Sequence, residues 1–288
     1  MIKIKQKTLI DLEFPTVCEQ VAERCVTELG KERALVIQPY TSHELAIFGL
    51  QQTNEYVSSS LHDTVIPNHG FDLVDREIKF LNIEDSVLEV GSFKKLSSLS
   101  ETVNIHLKLF NKYQERYPTL HKTVRETELT SHIVDSVNRV IDRYGVLRDD
   151  ASTLLQTTRR SINQVKGRIN SSFTSALGRY QGYGYLDDIR ESVVENVRVL
   201  AVTAMRRKKV KGAIMGSSKT GSIVYIQPEA TVQAQRELNN LLFEEEEEIK
   251  RLLKALTAVM RPFTPLFEEY QELLSTIDVI AAKAKYAG

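Results

Sequence analysis

The sequence has few residues that interrupt helices, with seven Pro and 13 Gly among 288 residues. Its hydrophobic fraction of 42% and charged fraction of 26% lie in the usual range for a globular protein. Residues that favour helices, such as Leu, Glu, Arg and Lys, are frequent. The composition therefore predicts a mainly α-helical chain that is long enough to bury a core.

The chain also lacks any run of eighteen apolar residues and the charged-then-apolar start of a secretory signal. We therefore expect no membrane partner and a cytoplasmic location. The only cysteines, Cys18 and Cys25, are seven residues apart on one predicted helix face. This separates them by about 10 Å along the helix axis, too far for an unstrained disulfide, so we expect buried, reduced thiols.

No motif of metal binding or catalysis is present. The six histidines have no Cys or carboxylate at metal-ligand spacing, and the closest pair, His62 and His69, flanks Pro67 in a predicted loop. In the segment 212–220, Ser218 stands where a phosphate loop needs Gly, and strand residues follow, so this segment is predicted to be a hairpin turn. We expect no metal site and no catalytic site in this chain, which would not be a complete enzyme.

The net charge is zero, but the charges are segregated. Residues 151–228 contain 13 Lys and Arg against four Asp and Glu, a net charge of +9, so the rest of the chain carries −9. Such segregation is typical of proteins that bind a polyanion. A solvated helix face is the alternative interpretation, although such faces usually mix both signs.

The hydrophobic pattern divides the chain into five segments. Residues 1–125 predict a core of short and medium helices, and apolar spacings of three and four over 126–180 predict unusually long helices leading away from it. Alternating apolar runs between turn residues predict a small β element within 181–228. Residues 229–261 predict a long returning helix, and 262–288 a last helix that docks on the core.

The strongest binding signal is the run RRKKVK, from Arg206 to Lys211, just before a predicted hairpin of strands 209–215 and 222–226. Lys and Arg without a base-reading helix predict phosphate contacts that tolerate any base sequence and weaken with salt. The three tyrosines 180, 183 and 185 could stack on an unpaired base, or pack between the long helices. The residues predicted to contact phosphates are Arg206, Arg207, Lys208, Lys209, Lys211, Lys219, Arg159, Arg160, Lys166 and Arg168.

Five stretches carry family-like motifs: LIDLEFPTVCEQVAERCVTELGKERALVIQP, VNRVIDRYGVLRDDAS, KGAIMGSSKTGSIVYIQPEATV, LLFEEEEEIKRLLKALTAVM and IDVIAAKAKYA. In this order, they resemble the core, lever and clamp region of the MutS family, most closely its type-two, recombination-associated branch. The chain departs from the family in the basic motif before the hairpin, where ENVRVLAVTAMRRKKVK keeps only Arg198 as a match. The histidine and aspartate of the family's clamp turn are replaced by Met215 and Gly216.

The resemblance implies a mainly α fold, with a helical core, long antiparallel coiled-coil lever helices and a small β clamp inserted at their tip. Residues 126–180 and 229–261 would be the outgoing and returning levers, and 181–228 the clamp. Arg198 then joins the candidate DNA-binding residues. The resemblance also implies that an ATPase domain with ATP and Mg²⁺ follows residue 288, so the chain would be a truncated form of a homodimeric, DNA-dependent ATPase.

The function implied by the resemblance is that of a DNA repair or recombination protein that grips branched or mismatched duplex DNA through phosphate contacts. Related type-two proteins also carry a C-terminal nuclease domain and are implicated in handling stalled ribosomes. The alternative is therefore a helical scaffold that binds another protein, or rRNA on the ribosome.

Overall fold

The computed structural model describes residues 4–60 and 65–288. They form two compact units: one comprises the chain up to Arg148 together with Leu252–Gly288, and the other is Asp149–Arg251. We call the first the helical unit and the second the sheet unit. Together they are mainly α-helical with one small β insertion, so the predicted fold class is confirmed.

The helical unit is built from nine helices and the end of a tenth among its described residues. Its core lies along α6 and α11, whose apolar residues recur every three or four positions and are buried from one end to the other. The elements are α1 (Gln6–Asp11), α2 (Phe14–Ala22), α3 (Glu28–Leu35), α4 (His43–Ser60), α5 (Asp75–Leu81), α6 (Val90–Lys112), α7 (Pro118–Val124), α8 (His132–Val140), the last part of α10 (Glu229–Met260) and α11 (Thr264–Ala287).

Asp278 of α11 is the centre of a buried polar network that sequence reasoning missed. Its carboxylate is fully buried and accepts hydrogen bonds from the backbone N–H groups of Val26 and Thr27 and from the Thr27 hydroxyl. It also contacts Nε2 of His69 at 2.9 Å. Gly30 of α3 lies against the same carboxylate. The network thereby joins the start of α3 and the loop at His69 to α11.

Both cysteines are buried free thiols, as predicted. They do not share a helix, however, because α2 ends at Ala22 and Cys25 follows it in the loop before α3. Burial, with a further contribution from the charge of Asp278, raises the pKa of Cys25 to about 12. His62, the histidine closest to His69 in the sequence, lies outside the described residues.

The prediction of long helices throughout 126–180 is wrong in its first half. Helix α8 has nine residues, and the chain then turns, with a β-bridge between Ile141 and Leu147. The Asp142 side chain accepts hydrogen bonds from the backbone N–H groups of Tyr144 and Val146, and so competes with helix formation. Gly145 has a φ of 79°, a left-handed conformation that favours glycine.

The sheet unit begins with α9 (Thr153–Gly182), whose 30 residues confirm the second half of that prediction. Ser152 caps α9 by accepting the N–H of Leu155. Four strands follow: β1 (Leu186–Val194), β2 (Val197–Thr203), β3 (Gly212–Ser217) and β4 (Ile223–Pro228). They form an antiparallel sheet in the order β1-β2-β4-β3, and the predicted hairpin is its β3–β4 pair.

The sheet packs against α9, and α9 packs against the part of α10 that belongs to this unit. Phe173 of α9 is fully buried with apolar residues of β2 and β4. Ile162 and Val165 of α9 meet Leu238 of α10. Arg159 contacts Glu245 and the later Arg168 contacts the earlier Glu237, so α9 and α10 run antiparallel. No helix in the described ranges is long and apolar enough to cross a membrane.

Candidate nucleic-acid interface

Residues 204–211 connect β2 to β3 and form what we call the basic turn. Ala204–Lys209 is a short 3₁₀ helix in which no residue is buried, so Arg206, Arg207, Lys208 and Lys209 all face solvent. Val210 follows as a buried anchor in the apolar cluster beneath the sheet, and Lys211 is again exposed. The turn therefore presents five positive side chains within six residues.

The backbone of the basic turn is held at both ends. The N–H of Ala204 donates to the carbonyl of Ser222 at 2.9 Å, and the N–H of Glu229 donates to the carbonyl of Lys211 at 3.1 Å. The N–H of Lys211 also donates to the Tyr180 hydroxyl at 3.2 Å. The charged side chains thus project from a fixed backbone.

The positive side chains of the basic turn have no acidic partner in the described part of the chain. Among the residues that the structure describes, no carboxylate lies within ion-pair distance of the five cations between positions 206 and 211. The guanidinium of Arg206 lies 5.7 Å from the centre of the Tyr185 ring, a cation–π contact that leaves its N–H groups free to donate. The charge of these five side chains is therefore available to an anion from solvent.

Three other predicted phosphate ligands are engaged with acidic residues. Arg159 pairs with Glu245 of α10 at 2.7 Å and also with Asp149. Arg168 pairs with Glu237 at 2.6 Å. These two pairs connect α9 to α10, so part of their charge is compensated inside the sheet unit.

Arg198 of β2 is the third ion-paired arginine. It donates to Glu191 of β1 and to Asn170 of α9, both at 2.6 Å. Its guanidinium also lies 4.2 Å from the centre of the Phe173 ring. Arg198 therefore links the β1–β2 hairpin to α9 through two contacts, and the third joins the two strands of the hairpin.

Arg160, Lys166 and Lys219 are exposed, and no carboxylate among the described residues pairs with them. Arg160 and Lys166 lie on α9. Lys219 lies in the β3–β4 turn, at the opposite end of β3 from Lys211 and roughly 20 Å away, from the rise of about 3.4 Å per strand residue. Lys219 is therefore far from Lys211, whereas the start of the basic turn at Ala204 is hydrogen-bonded to Ser222 of the same β3–β4 turn.

The glutamate run 244–248 is only partly exposed, because two of its members contact α9 or the residue that caps it. Glu245 faces Arg159 of α9. Glu248 is buried, and it accepts the Ser152 hydroxyl at 2.6 Å and two hydrogen bonds from Arg251. The Arg251 hydrogen bonds outweigh burial and lower the pKa of Glu248 to about 2. Glu248 thus fixes the start of α9 on α10.

Two of the three clustered tyrosines have a packing role. Tyr180 and Tyr185 are partly buried against the apolar cluster of the sheet, with nearly parallel rings 6.4 Å apart. Tyr183 is 61% exposed and contacts both of them. Packing therefore accounts for Tyr180 and Tyr185, and Tyr183 has a face open to solvent.

The described residues contain no group of three or more His, Cys, Asp or Glu side chains arranged to hold a metal ion. The main functional feature of the sheet unit is instead the cluster of positively charged side chains on the basic turn. Such a surface can bind phosphate oxygens by charge-assisted hydrogen bonds.

No protein-family model matches this sequence. Among curated proteins, it is 25% identical over 290 residues to "Endonuclease MutS2" of Staphylococcus epidermidis, covering 99% of this chain and 37% of that protein. A relative of the same name from Leuconostoc mesenteroides is 26% identical over 293 residues, covering 99% of this chain and 36% of the relative. The chain thus spans a little over a third of the length of these relatives. This similarity, which extends over nearly the whole chain, confirms its resemblance to the type-two branch of the MutS family.

Proposed function

We propose that this chain is the DNA-binding part of a MutS-like DNA repair or recombination protein. The observation that carries the proposal is the basic turn, where five exposed cations project from a fixed backbone and no carboxylate in the described ranges pairs with them. The similarity to proteins named endonuclease MutS2 supports DNA as the polyanion. Nuclease activity is named for those relatives, of which this chain covers about a third.

The basic turn is suited to the phosphate backbone and not to the bases. A 3₁₀ helix of six residues is too short to lie along the major groove as a reading helix. Its Lys and Arg side chains can reach phosphate oxygens on a duplex of any base sequence. With about six phosphate contacts, affinity should fall roughly 10³-fold between about 50 and 200 mM salt.

The remaining cations have different proposed roles. Lys219, Arg160 and Lys166 would extend the contact surface, because they are exposed and have no acidic partner among the described residues. Arg159, Arg168 and Arg198 would mainly hold α9 to its neighbours, since each would have to leave a carboxylate before it could bind a phosphate. We expect these three to contribute less to DNA affinity.

In the terms of the resemblance, we propose that the four-stranded sheet with the basic turn is the clamp. The α9 helix and the first part of α10 are the proposed levers. We also propose that the chain acts within a longer, homodimeric ATPase, consistent with its coverage of about a third of its relatives.

Fluorescence anisotropy with labelled duplex and four-way-junction DNA across a salt series tests the proposal. A variant carries Arg206→Gln, Arg207→Gln, Lys208→Gln, Lys209→Gln and Lys211→Gln. We expect it to lose most of its affinity and to reduce the slope of log affinity against log salt by about four to five.

A matched control neutralises five exposed cations of the helical unit: Lys7, Lys79, Lys94, Lys108 and Arg139, each changed to Gln. It carries the same change in net charge and should bind nearly as the native chain does. An equal loss in both variants would mean that total charge, and not the basic turn, determines binding. Absence of native binding at low salt would overturn the proposal, and preference for structured RNA would favour the ribosomal alternative.

A further inference from the structure

A pocket of about 420 Å³ opens beside the basic turn, within the sheet unit. Its walls come from α9, from Lys211 at the end of the basic turn, and from the first residues of α10. Three charged side chains line it: Arg179, Lys211 and Glu229. Arg179 is not one of the residues predicted from the sequence to contact phosphates.

The charged side chains of the pocket are not paired with one another. Arg179, Lys211 and Glu229 are all exposed, and no ion pair joins any two of them or links them to another described residue. A bare phosphate would be attracted by the two cations and repelled by Glu229. A ligand that carries both a phosphate and hydrogen-bond donors satisfies all three groups.

The wall formed by Tyr180 is fixed before any ligand binds. Its hydroxyl accepts the N–H of Lys211, and its ring packs beside Tyr185. The pocket volume is larger than one phosphate fills and lies within the range of about 300–1,000 Å³ typical of small-molecule sites. A nucleotide has the required size, with a phosphate at one end and sugar hydroxyl or base amino groups at the other.

We propose that this pocket takes one unpaired nucleotide of a bound DNA strand. Its phosphate would lie between Arg179 and Lys211, and its sugar or base would donate to Glu229. The inference rests on the proposed function and deepens it, because Lys211 belongs to both the basic turn and the pocket. A strand whose phosphates follow the basic turn passes the pocket, and a base without a partner can leave the stack at the least energetic cost.

The test compares a duplex with the same duplex containing a single-nucleotide bulge of the fluorescent base 2-aminopurine. We expect the native chain to bind the bulged DNA about tenfold more tightly, as one base contact of moderate strength would give, and to change the 2-aminopurine fluorescence. Arg179→Gln removes one of the two cations that would bind the phosphate, and Ser175→Phe fills the pocket without a change of charge. Both should abolish the preference for the bulge while duplex binding remains.

Two control variants lie outside the pocket in the same unit. Arg236→Gln removes an exposed arginine of α10, and Gln164→Phe adds an aromatic ring to an exposed position of α9. Both should retain the preference, and circular dichroism should show native helix content in all four variants. Duplex binding without a preference for the bulge would overturn the inference alone. A preference that survives Arg179→Gln and Ser175→Phe would overturn the pocket assignment. If the native chain bound no DNA at all, the proposed function would be overturned as well.

Discussion

The Nε2 atom of His69 lies 2.9 Å from Oδ1 of Asp278, and both side chains are almost completely shielded from solvent. Burial acts to raise the pKa of Asp278, but the hydrogen bonds from His69, Thr27 and Val26 outweigh it and hold the pKa below its ordinary value. Because the pKa of Asp278 is lower in the folded state, its carboxylate stabilises the fold at pH values above the pKa that Asp278 has in the unfolded chain. That stabilisation is lost as the pH falls through the folded value.

We therefore predict that Asp278→Asn lowers the free energy of unfolding by about 3 kcal/mol at neutral pH, because several buried donors lose a charged acceptor. The difference from the native chain should shrink as the pH falls below about 4, the ordinary pKa of an aspartate. Urea denaturation of both chains over this pH range is the measurement. Asp72→Asn, at an exposed site, is the control. A constant difference at all pH values would contradict the prediction.

Gly30→Ala is predicted to destabilise the fold, although Ala favours helices by about 1 kcal/mol over Gly. A Cβ at this position would lie 2.2 Å from Oδ2 of Asp278 and 2.7 Å from Oγ1 of Thr27, so the network must shift. The expected cost is about 1–3 kcal/mol in thermal or urea unfolding.

Gly178→Ala supplies the matched control for this prediction. Gly178 lies within α9, and a Cβ there would meet no atom within 4 Å. This variant should raise stability by about 0.5–1 kcal/mol through helix propensity alone. If the two variants gave equal effects, close packing at Gly30 would not be the cause.

Glu248→Gln is predicted to loosen the contact between the start of α9 and α10. The native carboxylate, whose pKa of about 2 reflects the hydrogen bonds from Arg251 and Ser152, accepts more strongly than an amide. We expect a loss of about 1–2 kcal/mol at neutral pH, with faster hydrogen exchange in the first turn of α9. The native chain should lose this contribution as the pH falls from about 4.5 toward 2. Glu244→Gln, at an exposed position of the same run, should change neither quantity.

Replacing two lysines of the basic turn should weaken DNA binding more than replacing two arginines of α9 that are paired with glutamates. Lys208→Gln with Lys209→Gln removes two exposed cations that pair with no carboxylate among the described residues, and should reduce the salt slope by about two. Arg159→Gln with Arg168→Gln removes two cations already paired with glutamates, so it should reduce the slope less and lower the unfolding temperature more. Anisotropy titrations across a salt series measure the slopes of both variants, and thermal unfolding measures their stability. Equal salt slopes would show that the ion-paired arginines also contact DNA.

Local patterns were sufficient to predict much of the fold. The long helix α9, the β3–β4 hairpin, and the break before α11 at Pro262 follow from apolar spacing, Gly-rich turns and proline, which act between residues close in sequence. The same reasoning failed at 141–152, because Asp142 and Gly145 form a turn whose side-chain hydrogen bonds interrupt an otherwise helical apolar pattern.

The sequence by itself determined that the chain is mainly helical and that its positive charge is concentrated in 151–228, since composition and periodicity are properties of the sequence. Only the tertiary structure decided which of those charges are available. Arg159 and Arg168 meet glutamates about 70 to 90 positions away along the chain, and Asp278 meets Thr27 across 251 positions. Such contacts depend on the register of packed helices, which buried side chains from many segments determine together, and no local pattern encodes it.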